Sequence, residues 1–149
     1  MRRDKPRILL VFGNPDAGKS WLANELKSRH GYEVISLDEV YVSFIKEKYP
    51  SLYLDNLNLV ISQHYDMILL RTQKDGKKNW REYVISLVKE RAKQYPLLVV
   101  EGYLLHPILD ALRSKLSKVA TITTVHVNAR KYFLNLKSDI DGIHAWLMR

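Results

Sequence analysis

Lys19 and Ser20 close the stretch Gly13-Asn14-Pro15-Asp16-Ala17-Gly18-Lys19-Ser20, in which two glycines bracket four residues and an amine and a hydroxyl follow. The pattern G-x-x-x-x-G-K-[ST] suits phosphate. Backbone N–H groups line such a loop, its lysine reaches the β- and γ-phosphates, and its hydroxyl ligates Mg²⁺. Gly13 lets the chain turn sharply, and Gly18 permits a backbone conformation that a side chain resists. Average residue frequencies produce the pattern about once in two hundred chains of 149 residues. Gly13, Asn14, Pro15, Asp16, Ala17, Gly18, Lys19, Ser20 and the adjoining Trp21 are therefore the expected contacts of a nucleoside triphosphate. In an empty loop Lys19 is expected to be exposed, with only phosphate to pair with.

Two carboxylate positions complete the chemistry, Asp38-Glu39 and Glu101. Phosphoryl transfer to a hydroxyl needs one carboxylate to orient that hydroxyl and accept its proton, and an acidic group beside the metal. Asp38 suits the first role. Glu101, with Ser20, suits the second. Asp38 also suits the N-cap of a helix, which is compatible with catalysis.

These residues need elements to bring them together. Arg7 to Phe12 is an apolar run that reads as a buried strand, and the helix after the loop is expected to stop at His30-Gly31. A second strand, 32–37, is expected to end on Asp38-Glu39, with a helix continuing to Tyr49-Pro50. The dense apolar segment 51–72 reads mostly as helix, followed by a basic loop, 73–79, turning at Asp75-Gly76. A helix over 79–94 presents Trp80, Tyr83, Val84, Leu87, Val88 and Arg91 on one face. The third strand, Leu97 to Val100, ends at Glu101-Gly102, and Pro107 suits the first turn of a helix over 107–117. A fourth strand, 121–127, precedes a helix from Arg130 to Lys137 and a short terminal segment. Strands alternating with helices predict an α/β fold with a parallel sheet and a single domain, 1–149. Ligands of such sheets sit at the carboxyl ends of the strands, where the loop, Asp38 and Glu101 would meet.

Composition narrows the setting. No run of eighteen apolar residues exists to span a membrane, cysteines are absent, and the N-terminal residues lack the apolar core of a secretory signal. A cytoplasmic protein is expected. The net charge of +8, from 24 Lys and Arg against 16 Asp and Glu, favours anionic partners, nucleic acid included. His30, His64, His106, His126 and His144 show no metal-ligand spacing and are expected to be packed or exposed. Trp80, Tyr83 and Trp146 can stack a base, but helical spacing favours core packing.

The segment from Val11 to Ala23 resembles the phosphate loop of small P-loop kinases, including Pro15, and its Lys-Ser-x-x-Ala run resembles polynucleotide kinases. Val34 to Glu39 resembles the strand of those enzymes that ends on the acceptor-activating aspartate. Leu98 to Leu105 is similar to the third strand of uridine kinases, which ends in a Glu-Gly pair. The resemblance implies a three-layer fold with a short sheet in the order 2-3-1-4, ATP and Mg²⁺ as cofactors, and a hydroxyl-bearing acceptor. It implies transfer of the γ-phosphate to a nucleoside- or nucleotide-like molecule. The alternatives are a hydroxyl of DNA or RNA, or a nucleotide-binding module with little catalysis. The sequence departs from the family at Asp16, where glycine is frequent, and at Val40-Tyr41, where an arginine often follows the aspartate. Val127 to Lys131 and Lys137 to Asp139 faintly resemble the flanks of the arginine-bearing lid, which implies a catalytic role for Arg130. The chain ends soon after, which predicts a minimal lid or a shortened chain.

Overall fold

Ile8 and Leu10 face one side of the first strand, and Leu9 and Val11 the other, so this strand needs cover on both faces. The computed structural model describes residues 5–13, 18–51, 73–127 and 136–149. Strand β1 (Arg7–Phe12) lies between β3 (Leu97–Glu101) and β4 (Thr121–His126), and β2 (Glu33–Ser36) lies beyond β3. All pairings are parallel, and the sheet order is β2-β3-β1-β4. Register places Val11 beside Glu101, Ser36 beside Glu101, and Phe12 beside His126.

One face of the sheet packs against α2 (Leu37–Lys48), α3 (Gly76–Gln94) and α4 (Leu109–Leu116), and the other against α1 (Lys19–His30) and α5 (Leu136–Leu147). The fold is thus the three-layer α/β arrangement with the strand order that the sequence implied. Trp80 is 1% exposed and packs on Tyr41 and Phe44 as a core residue, whereas Trp146 is exposed.

Helix α1 stops where expected. Gly31 takes a left-handed φ of 73°, and its N–H caps the Lys27 carbonyl. Other boundaries move, each because burial outweighs local signals. The second strand ends at Ser36, and Leu37 opens α2, because Leu37, Tyr41, Phe44 and Ile45 form one buried helical face. Helix α3 begins at Gly76 rather than 79, since Gly76 continues the buried row Trp80, Val84, Val88 and Ala92. Pro107 sits inside a 3-10 turn, Tyr103–Ile108, and α4 starts after it. The fourth strand ends at His126, and the terminal segment forms helix α5, anchored by buried Ile140 and Leu147; the helix expected over 130–137 lies, up to residue 135, outside the described residues. The helix expected within 51–72 falls almost wholly outside the described residues, as do positions 128–131 of the lid flank, Arg130 among them.

Helix α5 is clasped to the end of α1 by polar groups that no local pattern links. Arg29 donates to both carboxylate oxygens of Asp141 at 3.2 and 3.0 Å, and His30 Nε2 bonds Oδ1 at 2.9 Å. The imidazoles of His30 and His144 stack with centroids 3.9 Å apart, and the Tyr32 hydroxyl bonds His144 Nδ1 at 2.9 Å. Arg7 Nη1 donates to the Leu147 carbonyl at 2.7 Å.

The bonds from Arg29 and His30 hold the Asp141 carboxyl below its ordinary pKa, and burial, then the charge of His30, holds His144 below its own. Both groups therefore take protons more readily in the unfolded chain. Stability from His144 is full above about 6.5, the ordinary imidazole pKa, and declines below it, while that from Asp141 is lost only at much lower pH. The thermal midpoint should fall between pH 7 and pH 5, and the fall should be smaller in His144→Phe. An equal slope in the two proteins would remove His144 as its source.

Candidate nucleotide site at the carboxyl edge of the sheet

The carboxyl ends of β1 and β3 and the N-terminus of α1 meet at one edge. Gly18 takes a φ of 95° at the head of α1, and the space beside it is open, so only the backbone conformation demands glycine there. The first turn of α1 carries no acidic side chain, which leaves the positive end of its dipole available to an anion. Asn14, Pro15, Asp16 and Ala17 lie outside the described residues. Trp21 is 41% exposed on the outer side of that first turn.

Lys19 corrects the sequence expectation: it is only 6% exposed. As the first residue of α1 it lies against the strand ends, with its stem covered and its charge within electrostatic reach of Glu101. Ser20 Oγ lies 3.4 Å from each oxygen of the Glu101 carboxylate. That is a long contact for a hydroxyl donor.

Glu101 is 2% exposed at the end of β3. Burial pushes its carboxyl pKa upward, a hydrogen bond from Ser36 opposes this, and the charge of Asp38 raises it further. Lys19 and the Ser20 hydroxyl pull it down by less. The result is a buried carboxylate whose negative charge is incompletely compensated. Hard oxygens from a hydroxyl and carboxylates are the donor set Mg²⁺ prefers when phosphate oxygens and water supply the rest. Ser20 and Glu101 fit that requirement, with Asp38 close behind.

Asp38 stands in the first turn of α2 rather than at a strand end, and Ser36 occupies the N-cap position. Gly102 fixes its place. A Cβ added to Gly102 would lie 2.9 Å from Leu37 Cβ and 3.4 Å from Asp38 Oδ1, and the φ of 147° disfavours a side chain. The end of β3 thus approaches the start of α2 more closely than any other residue allows. Sequence reasoning passed over Ser36 and gave Gly102 no role of its own. The only signal was a glycine directly after a strand-terminal glutamate.

The structure brings Gly18, Lys19, Ser20, Asp38 and Glu101 to one edge, and leaves Trp21 on its rim. Arg130 lies outside the described residues. No group of three His, Asp or Glu side chains is placed to hold a metal ion among the described residues, and none of their helices is long and apolar enough to cross a membrane.

By sequence, no protein family and no curated protein matches the chain. Solved structures do match its fold. The sheet order, the flanking helices and the glycine-bounded helix N-terminus are those of a P-loop NTPase fold. Similar structures include a hexameric APS kinase from Thiobacillus denitrificans, with a TM-score of 0.56 and 16% identity over 97% of this chain. This chain spans 29% of that one. A second is TT1252 from Thermus thermophilus, with a TM-score of 0.54 and 20% identity, covering 95% of this chain and 81% of that one.

Proposed function

We propose that the chain is an ATP- and Mg²⁺-dependent phosphotransferase that moves the γ-phosphate to a hydroxyl of a nucleoside- or nucleotide-like small molecule. The observation that carries this reading is the meeting of Lys19, Ser20, Glu101 and Asp38 around the N-terminus of α1. Backbone N–H groups and Lys19 bind the β- and γ-phosphates. Ser20 and Glu101 hold the metal, which when bound neutralises charge on the phosphate oxygens. Asp38 orients the acceptor hydroxyl and accepts its proton as that oxygen bonds to phosphorus and the bond to the leaving ADP breaks. Arg130 is assigned to the developing charge of the transferred group.

Glu101→Gln should raise the Mg²⁺ concentration needed for half-maximal activity about tenfold or more. In the parent protein the Mg²⁺ affinity should weaken as acid protonates Glu101, whose raised pKa brings that loss to higher pH than for an ordinary carboxylate. An unchanged Mg²⁺ requirement in Glu101→Gln would remove Glu101 from the metal site.

A second reading, transfer to a hydroxyl of DNA or RNA, draws on exposed Lys74, Lys77, Lys78 and Arg81 at the start of α3, whose first turn has no acidic residue. ATP turnover against nucleosides, nucleotides and oligonucleotides tests both. Phosphorylated nucleoside supports the first reading, and a product formed only on oligonucleotides supports the second. ATP binding with no transfer to any of them would leave a nucleotide-binding module.

A further inference from the structure

Ser36 is the N-cap residue of α2, yet its hydroxyl makes no bond to the helix it opens. Serine at that position ordinarily accepts from a backbone N–H of the first turn. Here the hydroxyl donates instead to the Glu101 carboxylate on the neighbouring strand. Register explains the diversion. Ser36 pairs with Glu101 across β2 and β3, so both side chains leave the sheet on one face. That face is the one α1 covers, because Val34 and Val99, paired two residues earlier, pack in the core beneath α1 and α5. Ser20 reaches the same carboxylate from α1, but at 3.4 Å to each oxygen. Glu101 therefore stands between two hydroxyls, one from β2 and one from α1. The start of α2 is served by other groups, since Asp38 and Glu39 in its first turn face the positive end of its dipole.

We infer that Ser36 is a positioning residue for the metal site: its hydroxyl holds the Glu101 carboxylate in the orientation that, together with Ser20, receives Mg²⁺. The two hydroxyls are not equivalent. Mg²⁺ takes oxygen ligands, so the Ser20 oxygen is the one lent to the metal, and its long contact with Glu101 is readily given up. Ser36 stays where sheet register puts it, beside Glu101. It then remains as the side-chain donor that keeps the carboxylate aimed. Partners of this kind, one step removed from the ion, set metal affinity by about tenfold or more. The inference rests on the phosphotransferase reading for the use of the site, but metal-dependent ATP binding is measurable without transfer.

The test uses the full chain and measures ATP affinity by calorimetry across a series of Mg²⁺ concentrations. Ser36→Ala should raise the Mg²⁺ concentration needed for half-maximal ATP binding about tenfold. Ser36→Thr keeps the hydroxyl and should restore the parent value. Adding Ser36→Ala to Glu101→Gln should change the requirement by less than about twofold, because the serine acts through that carboxylate. Where transfer is measured, the loss in Ser36→Ala should be recovered at saturating Mg²⁺. A helix-capping role would displace Asp38 instead, lowering kcat at every Mg²⁺ concentration and multiplying with Glu101→Gln. An unchanged Mg²⁺ requirement in a folded Ser36→Ala protein, losses that multiply across the two positions, or parent ATP binding indifferent to Mg²⁺ would overturn the inference. Transfer that survives alongside the first of these results would leave the phosphotransferase reading standing. The expected Mg²⁺ response with no transfer to any acceptor would overturn that reading and leave Ser36 in its role.

Discussion

Lys19→Ala should lower phosphoryl transfer about a thousandfold or more while leaving the protein folded. Removing one preorganised positive group aimed at charge on a transferring phosphoryl costs about 4 kcal/mol or more of transition-state stabilisation. The loss belongs mainly to kcat, because the charge on the phosphate oxygens is redistributed in the transition state. Burial of Lys19 adds a second expectation. Its charge helps hold Glu101 ionised, so without it the acid limb of the Mg²⁺ dependence should move to higher pH. Steady-state transfer with near-UV circular dichroism checks both. Unchanged turnover in a folded variant would remove this loop as the phosphate site.

Asp38→Asn should lower kcat roughly a hundredfold or more, with ATP affinity changed no more than a few-fold. Asparagine keeps the shape and loses the proton acceptor. A metal ligand at this position would instead show itself through weakened Mg²⁺ binding. The charge of Asp38 raises the pKa of Glu101, so its removal should ease ionisation of Glu101 and move the acid limb to lower pH, opposite to Lys19→Ala. That reversal separates a proton acceptor from a ligand. Gly102→Ala should lower kcat as well without removing any functional group, because its Cβ would push on Leu37 Cβ at 2.9 Å and displace Asp38. A weakened Mg²⁺ affinity in Asp38→Asn with kcat preserved would overturn the assignment.

Much of this architecture was legible from local pattern. An apolar run of six residues and a helix closed by Gly31 specify β1 and α1, since each depends on residues within a few positions. The alternation of strands and helices pointed to a parallel sheet for the same reason, and the strand order followed from family resemblance. The tertiary structure decided what depends on distant segments. Leu37 joined a helix rather than a strand because a buried face awaited it between the sheet and α3, and Asp38 moved with it into the first turn. Lys19 became buried because β3 ends beside it. Ser36 came to face Glu101, and His126 to face Phe12, through sheet register, which no single strand encodes. Helix α5 formed against α1 because Asp141 and His144 meet Arg29, His30 and Tyr32 there, and neither helix announces that contact in its own sequence. Local preferences fix backbone conformation over a few residues, whereas burial and register depend on which distant surfaces are brought together when the chain packs.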